Sequence, residues 1–491
     1  MANTNMNARE RAALEEQKKD RKIRNRFIIV GVIIVLLAAL VIVVNSRLFT
    51  NTFPALKVTD GSSSTNYALA DVNYAYQSAY NSIAQTYSSY GLYDTSKSPK
   101  EQPCLFMSDG GTWDDYFKEQ AESSLLEKTA VLKAVRDAGY TELTEDEQAQ
   151  IDSVIDSFAA YAPYYGGSVN SFIALNFGAG NTEKTIRNNM AEELLINRYL
   201  KDIQNGYTYT EDQMNDYYTE HQDQFDKVNY LYTVISGAAD EEAGLDETAA
   251  MAAAKEKAET IVQNGAEGEE VFREAVSDIA ENDPSDTSAT ISSFNNLFGD
   301  DAVAEPGACF VHEAANSCYA VYVLSLDDND YNTVNVRHIL IKAVDEDGDG
   351  EYSEAEKQAA YDAVKAIEDE WLAGEATEDS FAALANEKSE DAGSNTKGGL
   401  YENVYKGYTV KEFDEFCFAG HQHGDTAIVY GETSSYAGYH LVYFVGEGDN
   451  YRQILAGDDM RSTDYNEYYQ SLLAPYTSQR SFMWRYVMKA A

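Results

Sequence analysis

The sequence predicts an α+β protein carried on one transmembrane helix. Three observations lead there. An unbroken apolar run, FIIVGVIIVLLAALVIVV, fills positions 27–44. From about 66 to 226, apolar residues recur at helical spacing behind capping patterns. Between 227 and 447 the order strand, helices, strands is written twice. At 491 residues the chain exceeds what one hydrophobic core supports, so several domains are expected.

The apolar run is the first element. Eighteen helical residues span about 27 Å, close to the hydrocarbon thickness of a bilayer, and the run has no polar face. The basic stretch KKDRKIRNR lies directly before it, which keeps residues 1–26 in the cytoplasm. The following NSRLF lacks a small-x-small cleavage site, and no cysteine able to carry a lipid occurs before Cys104. Residues 27–45 are therefore expected as an uncleaved signal anchor of a single-pass cell-membrane protein, its C-terminal part extracytoplasmic. Residues 1–26 carry a net +4, so the remainder holds −49 of the chain's −45. Such a surface repels nucleic-acid phosphates, which excludes nucleic-acid binding, and it favours basic partners and divalent cations.

A Ser/Thr/Asn-rich linker, 46–65, leads to a helical domain at 66–226. Thr112 is placed to cap a helix through Phe117, Leu125, Val131 and Val135 that ends near Gly139. Thr144 with Glu147, and Thr210 with Gln213, form capping boxes. A further helix runs from about Thr182 to Ile203. Residues 450–491 are expected as a C-terminal helix, most amphipathic from Tyr465 to Met488, that packs back to complete the helical domain.

The repeat comes next. Val228–Ile235 matches Val334–Ile341, and Cys318–Val323 matches Gly438–Tyr443. In each copy a long Ala/Lys/Glu helix and a second helix with Phe272 or Phe381 lie between. The copies, 227–328 and 331–447, read as antiparallel sheets with flanking helices, the second about 14 residues longer. They differ at two histidines: Tyr232 matches His338 and Ala320 matches His440. Of four cysteines, Cys309 and Cys318 flank a hairpin turn and are the one pair placed to bridge; four small buried thiols is the equal alternative.

His338 and His440 stand in the first and last strands of one small unit. Between them lie Ser389-Glu390-Asp391-Ala392-Gly393-Ser394, Lys397-Gly398-Gly399-Leu400 and Glu412-Phe413-Asp414-Glu415-Phe416-Cys417-Phe418. This order resembles the parvulin family of peptidyl-prolyl isomerases, in particular exported PrsA-like foldases and SurA-like chaperones. The resemblance covers 331–446 well; 66–222, with its YYTEHQDQF stretch, is more weakly similar to the helical chaperone domain of those proteins. It implies two parvulin-like domains, the first degenerate. It implies His338, Asp391 and His440 as catalytic residues, and Leu400, Thr409, Phe413 and Phe418 as substrate-binding ones. Two departures stand out: Thr409 replaces a Met or Leu, and Ala437 replaces a frequent hydroxyl residue.

The chemistry suits these residue types. Rotating an X–Pro bond costs about 18–20 kcal/mol of amide resonance, but no bond breaks, so neither nucleophile nor cofactor is required. An apolar pocket grips the proline ring, and polar groups favour the twisted amide over the planar one. A second motif, Asp345 to Glu356, fits the calcium-loop pattern D-x-D-x-D-G-x5-E. Its ligands would be Asp345, Asp347, Asp349, the Glu351 carbonyl, Ser353 and Glu356, holding a structural Ca2+; the alternative is a solvated acidic turn. His421 and His423 have metal-like spacing without a third ligand and read as a surface loop. Tyr clusters at 74–93 and 161–165 suit either helix packing or a groove for unfolded chains. The resulting expectation is a foldase acting on unfolded or nascent exported polypeptides. A non-catalytic holdase using parvulin folds as scaffolds is the alternative.

Overall fold

The computed structural model describes residues 47–487, apart from 109, 166, 240–243, 347 and 349, together with 30, 32 and 35. The expected cytoplasmic tail and anchor, 1–26 and 27–45, lie outside the described residues except at Val30, Val32 and Val35. Among the described residues, no helix is long and apolar enough to cross a membrane. The chain is a mixed α+β protein of two compact units. One holds residues up to Tyr207 and from Thr463 onward; the other is Thr208–Ser462.

The first unit opens with a short helix, Arg47–Thr52, and a hairpin, β1 (Pro54–Thr59) and β2 (Ser64–Ala68). Asp60 closes its turn by accepting from the Ser62 and Ser63 amides. The expected linker at 46–65 is thus largely ordered as helix and strand: Leu56 and Val58 of β1 alternate inward and are fully buried, a period-2 signal too short to stand out among Ser and Thr. Five helices follow: α1 (Leu69–Ser89), α2 (Trp113–Asp137), α3 (Glu145–Tyr161), α4 (Val169–Phe177) and α5 (Glu183–Gly206). Thr112, Thr144 and Thr182 cap α2, α3 and α5 by accepting from the amide three residues on. Trp113, Phe117 and Tyr76 centre the core between α1 and α2. The buried Asp114 there is satisfied by the Tyr76 hydroxyl at 3.0 Å and Lys118 at 2.7 Å.

The expectation of one C-terminal helix over 450–491 is corrected. A helix ends at Leu473, ahead of Pro475, and the chain then forms a strand at Thr477–Arg480. Proline disfavours helical conformation in the residue before it. The helix end packs Tyr468, Tyr469 and Leu472 onto Val131, Val135 and Tyr199. The strand, β11, pairs antiparallel with β1 and gives the order β11-β1-β2.

The second unit begins with α6 (Glu211–Glu220), capped by Thr210. It then builds two four-stranded antiparallel sheets of identical topology. The first runs β4-β3-β6-β5, from β3 (Lys227–Ser236), β4 (Ser285–Thr290), β5 (Cys309–Ala314) and β6 (Ser317–Asp327). The second runs β8-β7-β10-β9, from β7 (Asn332–Lys342), β8 (Leu400–Val404), β9 (Thr426–Thr433) and β10 (Tyr436–Asn450). In the first sheet, α7 (Glu247–Gly265) and α8 (Glu269–Ala280) cover the Leu231 and Ala320 face, and α9 (Ile291–Phe298) covers the Tyr230 and Val321 face. In the second, α10 (Glu354–Ala373) and α11 (Glu378–Lys388) cover Ile339 and Leu441, and α12 (Lys411–Cys417) covers Val336 and Val442. A helix α13 (Tyr451–Leu473) follows β10.

Register corrects one match between the copies. His338 pairs with Val442, and Tyr232 pairs with Val321. Two residues earlier stand His440 in one copy and Tyr319 in the other, so Tyr319, not Ala320, takes the place of His440. Ala320 points to the face covered by α7 and α8, and Tyr319 to that of α9; a shift of one residue changes the face of every side chain. The four cysteines are free. Cys309 is paired with Tyr322 and Cys318 with Glu313, so the suggested bridge is out of register.

Candidate active site

The site lies on the α12 face of the second sheet, in a cleft of about 570 Å³. Its walls are His338, Leu340, Asp391, Tyr401, Tyr408, Thr409, Val410, Phe413, Thr433, Tyr436 and His440. His338 and His440 are buried on neighbouring central strands, and alternation aims both to the same side. Their rings stack 5.3 Å apart, and the Phe413 ring meets both edge-on at 5.5 and 5.3 Å. Gly431 on β9 makes room: a Cβ there would stand 2.8 Å from His440 Nε2.

Asp391 comes from the loop after α11. Its Oδ2 meets His338 Nε2 at 3.0 Å and accepts from the hydroxyls of Tyr401, at 3.0 Å, and Ser394. The His338 contact above all, with Ser394, holds this carboxyl well below the usual carboxylate range. An ionised Asp391 only accepts, so His338 Nε2 donates to it, and in the neutral ring Nδ1 carries the lone pair. That lone pair lies 3.1 Å from His440 Nδ1, which must donate. His440 Nε2 is then an acceptor, met by the Tyr436 hydroxyl at 3.1 Å. With both rings neutral, one carboxylate thereby sets the tautomers of the pair. Burial, with His338 adding to it, pushes His440 down to about 3, so the ring is neutral at physiological pH.

The named residues sort by strand parity. His338, Asp391, Thr409, Phe413 and His440 share the cleft. Leu400 does not line it: it pairs with Arg337 and shares that residue's side of the sheet, whereas Tyr401, opposite Val336, faces the cleft. Phe418 is also outside, its ring edge-on to Tyr331 at 5.8 Å. Ala437 faces away, packed with Ala343 and Ala360. The wall residues Tyr401, Tyr436, Tyr408, Val410, Leu340 and Thr433 were not singled out from sequence; alternation from the two histidines points to Leu340 and Tyr436. The thiol of the nearby Cys417 is buried and pushed up to about 12, which keeps it protonated.

In the acidic loop, Asp347 and Asp349 lie outside the described residues. Asp345 accepts from the Gly348 and Gly350 amides. Glu356 accepts from the amides of Glu346 and Ser353 and forms a capping box with Ser353 at the start of α10. Among the described residues, no group of three or more His, Cys, Asp or Glu is arranged to hold a metal ion. His421 stacks on Phe416 at 4.1 Å, and His423 Nδ1 meets the Val445 carbonyl at 2.9 Å.

Residues 319–446 match the PPIC-type PPIase domain family. With the paired histidines, the carboxylate and the apolar cleft in one fold, this segment is a peptidyl-prolyl isomerase domain of the parvulin type. No curated protein matches the chain. Among solved structures it is similar to the peptidylprolyl isomerase PrsA from Bacillus anthracis, at 13% identity over 72% of this chain and 93% of that one, with a TM-score of 0.19. The foldase protein PrsA from Streptococcus pneumoniae gives 11%, 75%, 90% and 0.24. A chain of the SurA-like chaperones PEB4 and Cj1289 of Campylobacter jejuni gives 14%, 75%, 96% and 0.15. The assignment of the isomerase domain rests on the family match and on the site.

Proposed function

We propose that the chain is a foldase, tethered outside the cytoplasmic membrane by residues 27–45, that isomerises X–Pro bonds in unfolded exported polypeptides and also holds them. The observation that carries catalysis is the chain of contacts from Asp391 through His338 and His440 to Tyr436 along one wall of an apolar cleft. Phe413, Val410 and Leu340 offer the proline ring a dry surface. The neutral His440 ring, held between His338 and Tyr436, presents a directed dipole to an amide whose charge separation falls as it twists. No covalent step is involved. The uncatalysed rotation takes tens of seconds or longer.

A protease-coupled assay on a short proline peptide tests this reading. Turnover above background, reduced at least tenfold in His440→Ala and Asp391→Ala, supports it. Background-level turnover from the full chain, with aggregation of an unfolded client still suppressed, leaves the holdase. One observation favours that second reading: the first sheet keeps the same strand order with Tyr232 and Tyr319 in place of the histidines.

For residues 345–356 we propose a structural calcium site, supported by oxygen-bearing side chains at each ligand position and by positive φ at Gly348 and Gly350. Calcium is expected to raise the melting temperature, and Asp345→Ala to abolish that rise. An unchanged melting temperature with chelator would sink it.

A further inference from the structure

We infer that a second cleft, at the end of β7 on the sheet face turned away from the histidines, takes a lysine or arginine side chain of the same polypeptide whose proline fills the first. It rests on the isomerase half of the proposed function and adds a residue preference to it.

The parts are laid out in the sequence. Ala355, Ala359 and Ala363 recur every fourth residue, so they share one face of α10. Their small side chains leave a trough between that helix and the end of the strand. Ile341, of the same strand parity as the buried Ile339, and Val344, 66% exposed, complete its apolar floor. The trough holds about 300 Å³, and its rim is acidic: Glu346, Glu356 and Glu390. Two of these carboxylates are fixed by backbone. Glu356 accepts from the Glu346 amide and Glu390 from the Lys342 amide, each at 2.7 Å. The neighbouring cations are engaged elsewhere. Lys357 pairs with Glu354 and Glu432, and Lys388 with Glu370. Lys342 Nζ lies over the ring of Tyr436, in the wall of the first cleft.

An apolar trough with an anionic rim fits an aliphatic stem that ends in a cationic head. A free divalent cation makes no use of the floor, and a neutral side chain makes none of the rim. A second copy brings its own charge of −45.

The two clefts share one wall. Leu340, Asp391 and Tyr436 line the first, and their chain neighbours Ile341 and Glu390 line the second. That wall is knit by the Glu390 amide donating to the Leu340 carbonyl at 2.9 Å and the Leu340 amide donating to Ser389 Oγ at 3.1 Å. A chain leaving the first cleft reaches the second within about three to five extended residues. Engagement at two points favours basic clients without altering the imidazole pair.

The test uses the full chain in chelator, which keeps Glu356 clear of the calcium proposed above. Capped Ala/Gly peptides with one proline carry Arg, Lys, norleucine, Gln or Glu at a single position, two to five residues before or after it. Cis–trans exchange is read by NMR, without a coupling protease whose own preference would intrude. In one register, Arg and Lys are expected to give at least fivefold higher kcat/KM than norleucine, and Glu less than Gln. Raising salt from 50 to 500 mM should cut that advantage below twofold. Ala359→Leu fills the trough, and Glu346→Gln with Glu390→Gln removes charge while keeping an acceptor for the Lys342 amide. Each should abolish the advantage and leave turnover of the Gln peptide unchanged. Equal turnover of the Arg, norleucine and Gln peptides in every register overturns the inference and leaves the isomerase reading standing. So does an advantage that survives both variants. If no peptide turns over, the isomerase reading falls, and the same comparison in Kd decides the trough: tighter Arg binding lost in Ala359→Leu supports it, and equal binding overturns it. Loss of self-association in Ala359→Leu, in place of any peptide effect, reassigns the trough and overturns the inference.

Discussion

Tyr232 and Tyr319 lie 6.2 Å apart, their rings tilted by 30°, on the first sheet of the second unit, at the register positions where His338 and His440 face each other on the second. The same backbone thus carries an imidazole pair in one copy and a phenol pair in the other. Both phenols are half-buried, with Phe298 and His312 each 5.9 Å from Tyr319.

Tyr232→Ala and Tyr319→Ala should leave prolyl isomerase turnover unchanged, because the facing imidazole pair and Asp391 belong to the second sheet, and among the described residues the first carries only His312 with Asp301 beside the phenols. Each should lower stability by about 1–3 kcal/mol through lost packing, both side chains being half-buried. Chemical denaturation alongside the peptide assay separates these effects; a loss of turnover in still-folded protein would place chemistry in the first copy.

Gly431→Ala puts a methyl 2.8 Å from His440 Nε2 and 3.0 Å from Val410 Cγ2. Its φ is not in the left-handed region, so the effect is one of space alone. The ring should be pushed off Tyr436 and kcat/KM should fall at least tenfold while the domain still folds. Wild-type turnover would show that the His440 position is not critical.

Ala437→Ser distinguishes two views of the pocket. If position 437 lined it, a hydroxyl would alter turnover. Its place against Ala343 and Ala360 predicts none, and a buried hydroxyl without a partner should cost about 1–3 kcal/mol. A change in kcat/KM at constant stability would contradict the strand parity.

The pH dependence follows from His440 and Asp391. The unfolded His440 takes up a proton near its ordinary pKa of about 6.5, whereas the folded ring resists until about 3. Its contribution is therefore complete above about 6.5 and falls by about 1.4 kcal/mol per pH unit toward the lower value. Asp391, held below the usual carboxylate range, adds a loss of the same sign below about 4. The second unit should melt at lower temperature as pH falls from 6.5 to 4, while kcat/KM stays free of any step from His440 between pH 5.5 and 8. A step near 6.5 that disappears in His440→Ala would show that the ring titrates normally.

Much of the site was legible because chemistry leaves rare residues at fixed strand positions. Two of six histidines on strands that bracket one small unit are conspicuous, and Asp391 and Phe413 sit in recognisable surroundings. Tyr401 and Tyr436 were not legible in the same way. Among 37 tyrosines they carry no compositional signal, and their part depends on a register that only pairing fixes. Leu400 was misplaced for the same reason, being one residue from the cleft-facing position. The hairpin at 54–68 hid in a Ser/Thr/Asn-rich stretch, since its partner strand lies at the far end of the chain.

That partner sets the order of assembly. β1 is made early, yet one of its edges stays open until β11 has followed both sheets of the second unit out of the ribosome. Made from the amino terminus, the second unit can complete its fold while the first still waits. A chain broken off anywhere before Thr477 would display an unpaired strand, an invitation to aggregation or proteolysis. The first unit closes only on a chain that has been read through to β11.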